Sequence, residues 1–173
     1  PVLGKATGIR SLTVNGDGAS VQLKLNAELS VSEFAYVGQG ATVVADHPMS
    51  VTNDFLIAAG GKITHTQGSG KVDLFVGGGM TIDVGGSVDV DMRGYAAGKG
   101  PGGNGAYLCT GSYGGRGTGG KPCYGSIRRP VDYGSGGQSN GGGGAVRLTV
   151  ENDLVVNGSV TARSNPNTGN GTG

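Results

Sequence analysis

The sequence has no long apolar run and no concentration of charge. None of its apolar segments approaches the ~18 residues that a membrane-spanning helix needs, so we expect no membrane span. The 13 basic and 12 acidic residues leave a net charge of +1 and are interspersed along the chain. A nucleic-acid-binding protein needs a clustered basic face, and Arg128-Arg129 is the only basic doublet. We therefore expect no nucleic-acid partner.

The chain has only two cysteines, Cys109 and Cys123. Two cysteines are too few for a structural zinc site without histidines, and His47 and His65 lie in other segments. Their closeness within a glycine-rich stretch predicts a disulfide that closes a loop, worth about 3 kcal/mol in the chain-entropy model. The alternative is a pair of free thiols in a cytosolic protein.

A disulfide would place the protein outside the reducing cytosol, so we expect an extracellular or cell-surface location. The chain begins at Pro1 without an apolar signal segment, which is typical of a processed mature protein or of an excised fragment. The sequences Asn157-Gly-Ser and Asn170-Gly-Thr are glycosylation sequons, with a meaning only in a eukaryotic source.

The sequence also lacks an amphipathic helical pattern. Apolar residues are not sustained at the spacing i, i+3, i+4, i+7, whereas alternate apolar residues recur throughout, as in Val21, Leu23 and Leu25. Such alternation is typical of half-buried strands with one face inward. We therefore expect an all-β fold with almost no helix.

One apolar pattern occurs three times. Segment 72–91 matches 146–163 with a short deletion at a turn, and 51–66 carries the same alternation. A repeat of about 25 residues is typical of stacked supersecondary units. Stacked coils of two or three strands need apolar residues in register from one repeat to the next, whereas a β-sandwich does not. The aligned positions are Phe55, Met80 and Leu154; Ile57, Ile82 and Val156; and Ile63, Val88 and Val160.

This repeat resembles the right-handed parallel β-helix of large secreted adhesins, passenger domains, polysaccharide-active enzymes and phage tail proteins. The resemblance implies a single-stranded right-handed parallel β-helix (solenoid) of about five or six coils with a long glycine-rich loop insertion. The expected parts are an N-terminal arm (1–10), coils (11–93), a Gly/Tyr-rich insert stapled by the disulfide (94–144), a last coil (145–163) and a tail (164–173). The insert is similar to glycine-rich segments of very large surface proteins, which implies a repeated extracellular module.

The alignment also predicts which side chains meet on the outer surface. Asp73 is in register with Arg147, and Asp91 with Arg163, so each pair would lie about 4.8 Å apart on neighbouring strands if the insert is looped out. Asn53 and Asn152 occupy the same turn position with Gly78 between them. Exposed ion pairs contribute little stability, so these two pairs serve mainly as a test of the predicted register.

The insert concentrates tyrosine, with five of the six in the chain. Tyrosine supplies rigid contact area, and Gly and Ser supply adaptable backbone, so this composition is typical of a recognition surface. The alternative is a lid that covers a flank of the coils. The candidate contact residues are Tyr95, Tyr107, Tyr113, Arg116, Tyr124, Arg128, Arg129 and Tyr133.

No motif for catalysis, metal binding or a cofactor stands out, so we expect no enzyme activity and no cofactor. Asp89 and Asp91 would point the same way along a strand, as in a calcium site or an acid/base pair. The plainer interpretation is a solvated outer face. His65 aligns with Val90 and Ala162 and should therefore point into the core.

Two classes of function follow from a β-helix with unpaired ends. Strand edges template pairing with another chain, and identical ends that meet head to tail run on as a filament. The leading hypothesis is a non-catalytic extracellular filament subunit or adhesive fibre segment, with other copies of itself as partners. The alternative is a carbohydrate-binding or polysaccharide-processing module, whose partners would be glycans or a host surface.

Overall fold

A computed structural model describes residues 2–3, 7–103, 106, 111–117 and 121–164. Every regular element in these residues is a strand, as the alternating pattern predicted, and none forms a helix long and apolar enough to cross a membrane. The strands are β1 (Val2–Leu3), β2 (Thr7–Ile9), β3 (Leu12–Val14), β4 (Val21–Leu25), β5 (Leu29–Val31), β6 (Ala35–Val37), β7 (Ala41–Ala45), β8 (Met49–Val51), β9 (Phe55–Ile57), β10 (Lys62–Thr64), β11 (Val72–Val76), β12 (Met80–Ile82), β13 (Ser87–Asp89), β14 (Val146–Val150), β15 (Leu154–Val156) and β16 (Ser159–Thr161).

The strands form three sheets, and each strand pairs with the one three places along the chain. The first sheet has the order β1-β4-β7-β10-β13-β16, the second β14-β11-β8-β5-β2 and the third β15-β12-β9-β6-β3. The strands pair in parallel, for example β6 with β9. Every coil therefore contributes one strand to each sheet, and the predicted all-β parallel solenoid is confirmed. Its right-handed sense stays a prediction.

The predicted register is confirmed at all three aligned positions. Met80 pairs with both Phe55 and Leu154, and Ile82 with both Ile57 and Val156. In the first sheet, Val88 pairs with Ile63 and Val160. Sequence alignment of the repeats therefore located strand neighbours correctly, including across the long insert.

Alternate residues of each strand point into a continuous apolar core. The strand β9 shows the pattern, because Phe55 and Ile57 are 1% and 0% exposed while Leu56 between them is half-buried. Burying a side chain of this size stabilises the fold by about 1.5–3 kcal/mol. The turns between strands stack tightly: Gly40 has a φ of 70°, and a Cβ there would lie 2.4 Å from the Ala19 carbonyl oxygen. Only glycine satisfies both conditions at that turn.

The chain divides into two compact units. The solenoid unit comprises Pro1–Thr66, Gly70–Asp89 and Arg147–Thr161, and the insert unit comprises Gln67–Ser69, Val90–Val146 and Ala162–Gly173. The insert unit thus includes all of the expected insert, 94–144, together with short flanking segments.

The described part of the insert unit is held together by backbone hydrogen bonds between glycine-rich segments. The Gly94 amide donates to the Gly142 carbonyl at 2.8 Å, and the Gly142 amide donates to Tyr95 at 2.9 Å. A Cβ on Gly142 would lie 1.9 Å from the Gly134 carbonyl oxygen. Glycine in these residues lets backbones approach closely enough to bond one another.

Candidate functional site

The last described coil leaves inward-facing apolar side chains exposed. Leu154 and Val156 are each 45% exposed, although their strand neighbours Met80 and Ile82 are completely buried. Val160 is 42% exposed above the buried Val88. We call Leu154, Val156 and Val160 the last-coil face. It consists of core positions that no further coil covers within the described residues.

The backbone at this end is also open to pairing. The strands β14, β15 and β16 each lie at the edge of their sheet, and β1, β2 and β3 lie at the opposite edges. Among the described residues no further strand pairs with these edges. An exposed strand edge carries amide and carbonyl groups that can bond a strand of another chain.

One turn is stacked through the whole solenoid by backbone hydrogen bonds. The amides of Glu33, Asn53, Gly78 and Asn152 donate in sequence to the carbonyls of Arg10, Glu33, Asn53 and Gly78, at 2.8, 3.1, 3.0 and 3.3 Å. We call these residues the turn ladder. Gly78 lies between Asn53 and Asn152, as the alignment predicted.

The two ends of the turn ladder carry opposite charges. Arg10 lies at one end, 83% exposed, with its Nε 2.6 Å from Glu33 Oε1. Glu151 and Asp153 flank Asn152 at the other end, and both are exposed. One end therefore presents a guanidinium that is already paired with Glu33, and the other end presents carboxylates.

Both ion pairs expected from the register are present in the structure. Arg147 Nε lies 3.5 Å from Asp73 Oδ1 in the solenoid unit. Arg163 Nη2 lies 3.0 Å from Asp91 Oδ2 in the insert unit, where the Arg163 amide also donates to Asp91 Oδ1 at 2.7 Å. The arginine side chains are 69% and 66% exposed. Pairs this exposed contribute ~0–1 kcal/mol.

The aspartates that suggested an acid pair face cations instead. Lys62 Nζ lies 2.9 Å from Asp89 Oδ2, and Asp91 contacts Arg163 as described above. Among the described residues, no three His, Cys, Asp or Glu side chains are grouped so as to hold a metal ion. These carboxylates form ion pairs on the outer surface.

A half-buried polar cluster in the solenoid unit was missed by the sequence analysis. Asp46 Oδ1 and Oδ2 accept from the amide and hydroxyl of Thr66 at 2.6 and 2.7 Å, and Lys24 Nζ lies 3.1 Å from Oδ2. Burial raises the pKa of Asp46, but these hydrogen bonds and the lysine charge outweigh it, so its pKa lies below the ordinary value. The three residues belong to successive coils, and no motif links them in sequence.

His65 lies in the core, as its alignment predicted. The side chain is completely buried, and Nδ1 lies 2.8 Å from the Thr66 carbonyl oxygen, to which it donates in the fitting tautomer. A histidine held in this way supports the packing of the coil.

The tyrosines of the insert pack against one another. Tyr113 and Tyr124 meet edge to face with ring centroids 5.0 Å apart, and Tyr95 and Tyr133 do so at 5.6 Å. All four are half-buried. The Tyr124 hydroxyl donates to the Tyr133 carbonyl and accepts from Ser135 Oγ at 2.8 Å, and burial raises the pKa of Tyr124. Tyr107, the remaining candidate, lies outside the described residues.

The candidate arginines of the insert are exposed. Arg128 and Arg129 follow Ser126, whose Oγ accepts from their backbone amides at 3.3 and 3.1 Å. Arg116 is exposed as well. A hollow of about 340 Å³ beside these residues is lined by Gly114, Cys123, Tyr124, Gly125, Ser126, Ile127 and Arg128.

The disulfide expected between Cys109 and Cys123 is not seen. Cys123 is a free, exposed cysteine, and Cys109 lies outside the described residues. The described insert residues around Cys123 are held by hydrogen bonds and ring packing instead, for example from the Tyr124 amide to the Tyr113 carbonyl at 2.9 Å.

Comparison with known proteins finds no matching family model, no matching curated protein and no matching solved structure. The geometry of the described residues is therefore the basis for assigning a function.

Proposed function

We propose that the protein is a non-catalytic structural protein, a filament subunit or adhesive fibre segment that assembles through the ends of its solenoid. The observation that supports this proposal is the last-coil face, where Leu154, Val156 and Val160 occupy core positions and are 42–45% exposed. The resemblance to secreted adhesins makes an extracellular or cell-surface location part of the proposal. The free Cys123 lends that location no support.

A second copy is the occupant that suits the last-coil face. The opposite end of the third sheet is β3, whose Leu12 and Val14 have the same spacing as Leu154 and Val156. If β3 of one copy lies beside β15 of another in the register of the other coils, Leu12 would lie on Leu154 and Val14 on Val156. Leu12 and Val14 are only 9% and 7% exposed, so both would have to be uncovered before the joint could repeat the packing found within the solenoid.

Charge complementarity supports the same arrangement. The turn ladder ends in Arg10 on one side and in Glu151 and Asp153 on the other. Continuing the ladder into a second copy would bring Arg10 of that copy over these carboxylates. Opposite charges favour this head-to-tail order, and like charges oppose pairing between two identical ends.

Electron microscopy of the purified chain at raised concentration tests the proposal. We expect regular fibres from the natural sequence and discrete particles from Leu154→Asp, because a carboxylate at the centre of the joint would be buried without a partner. Val84→Asp is the matched control: Val84 is 74% exposed in the turn between β12 and β13 and is not one of the three residues of the last-coil face, so fibres should persist.

Charge reversal tests the direction of stacking. Arg10→Glu and Glu151→Lys should each raise the concentration needed for fibres, since each places like charges across the joint. Combining them in one chain should restore assembly in part. Discrete particles from the natural sequence at every concentration, or fibres unaffected by Leu154→Asp, would overturn the proposal.

A further inference from the structure

The insert unit contains a local excess of positive charge that the whole chain does not show. Described residues 111–117 and 121–132 hold four cations, Arg116, Lys121, Arg128 and Arg129, and one carboxylate, Asp132, a net charge of +3. We call these four cations the basic loop cluster. All four are exposed.

The backbone that presents the arginines is fixed by local structure. Ser126 Oγ accepts the amides of Arg128 and Arg129, and Pro130 restricts the next backbone torsion. The Tyr124 amide donates to the Tyr113 carbonyl at 2.9 Å, which ties this segment to 111–117. A ligand that binds here would lose less free energy in ordering the loop.

The hollow beside Arg128 combines apolar and polar groups of the kind that recognise a sugar ring. Tyr124 and Ile127 offer carbon surface, Ser126 a hydroxyl and Arg128 a guanidinium. Ile127 is 79% exposed, yet it packs on Gly114, where a Cβ would lie 2.1 Å from its Cγ2. Sites for small polar ligands typically pair apolar walls with a few placed polar groups.

We propose that this hollow and the basic loop cluster form a binding site for an acidic polysaccharide, whose sugar units carry carboxylate or sulfate groups. A sugar ring would lie in the hollow against Tyr124 and Ile127, and its acidic group would meet the Arg128 or Arg129 guanidinium. Arginine suits this role because its planar fork can bind a carboxylate through two hydrogen bonds. The site does not depend on assembly through the solenoid ends.

Binding assays with defined polymers test the site. The probes are polygalacturonate, dextran sulfate, neutral dextran, single-stranded DNA and phosphatidylglycerol vesicles, with affinity measured by biolayer interferometry. We expect at least one acidic polysaccharide to bind about tenfold or more tightly than neutral dextran and than DNA, because both charge and ring contacts contribute. Raising the salt concentration should weaken this binding.

Paired substitutions separate a built site from general charge attraction. Arg128→Gln with Arg129→Gln should lower the affinity about tenfold. Arg93→Gln with Lys99→Gln, the same loss of charge at exposed positions of the insert unit that do not line the hollow, should change it less than about twofold. Arg128→Lys with Arg129→Lys keeps the charge but not the fork, and should give an intermediate loss.

Several results would overturn the proposal. These are equal losses from the two glutamine pairs, equal affinity for DNA and for the acidic polysaccharides, and absence of binding to either acidic polysaccharide. Tighter binding to the vesicles than to the polysaccharides, weakened by Val131→Ser at a side chain that is 57% exposed, would assign the loop to a membrane surface instead.

Discussion

The solenoid unit and the insert unit are folded by different means. In the solenoid, apolar side chains such as Phe55 and Met80 are stacked in register and completely or almost completely buried. In the insert, glycine backbones such as Gly94 and Gly142 bond one another directly. Buried apolar side chains stabilise the solenoid unit. In the insert unit, the lack of side chains on glycine lets backbone segments come close enough to bond one another.

This difference has a consequence for where each unit can present chemistry. The solenoid uses alternate residues for its core, so its outer surface is a regular array set by the sheets. The insert uses few side chains internally, mainly its four described tyrosines, so Arg128 and Arg129 remain at the surface. An assembly surface suits the first arrangement and a recognition surface suits the second.

The largest effect on stability should come from emptying the solenoid core. Phe55→Ala removes the largest fully buried side chain among the described residues and should lower the free energy of unfolding by about 3–5 kcal/mol. Phe75→Ala, at a side chain that is 41% exposed, is the control and should cost about 1 kcal/mol or less, since it leaves no cavity. Urea denaturation followed by circular dichroism measures both. Equal losses would mean that core packing does not dominate this unit.

In the insert, adding a single methyl group should be destabilising, as removing a side chain is in the solenoid core. Gly142→Ala places a Cβ 1.9 Å from the Gly134 carbonyl oxygen, which backbone movement must relieve. We expect a loss of about 1–3 kcal/mol and faster hydrogen exchange at the amides of Gly94 and Gly134. Gly115→Ala is the matched control, because nothing lies within 4 Å of the added Cβ. Unchanged exchange in the Gly142 variant would show that close backbone contact does not hold this unit.

The sequence predicted the solenoid well because its signal is repeated. Phe55, Met80 and Leu154 must all be apolar if they stack, so three copies of one pattern locate the strand pairs and, with them, the ion pairs of Asp73 and Asp91. The same alignment places the residues of the last-coil face in the final repeat of the stack. The sequence repeat therefore identified residues that are neighbours in the fold although they lie far apart along the chain.

Other features left no periodic signal. The bonds between Gly94 and Gly142 involve backbone groups that every residue has, so composition alone did not indicate them. Asp46 and Thr66 meet because their coils are adjacent, and neither residue belongs to a motif. The basic loop cluster was diluted by a net charge of +1 for the whole chain, and only the folded loop brings its cations beside a hollow.

The Asp46 cluster should make the solenoid unit sensitive to acid. Because the folded pKa of Asp46 is lowered, its contribution to stability is present above the unfolded pKa and is lost as the pH falls through the folded value. Asp46→Asn should cost about 1–2 kcal/mol at neutral pH and flatten the fall in stability below about pH 4. Urea denaturation between neutral and acidic pH measures this. An unchanged acid profile would show that other carboxylates are responsible.

The smallest effects should come from the two ion pairs, which offer a matched comparison between the units. In the solenoid unit, Arg147 and Asp73 approach only through an exposed side-chain contact at 3.5 Å, so a double-mutant cycle with alanine should give a coupling near 0.2–0.5 kcal/mol, about the lower end for exposed pairs. In the insert unit, Asp91 accepts both the Arg163 amide at 2.7 Å and its Nε at 3.1 Å. Asp91→Ala should therefore cost about 1 kcal/mol even when Arg163 has already been replaced by alanine, since the amide remains without its acceptor. If both aspartates gave the same small loss, the backbone contact at Asp91 would add nothing, and hydrogen bonding to the main chain would be no more important in the insert than in the solenoid.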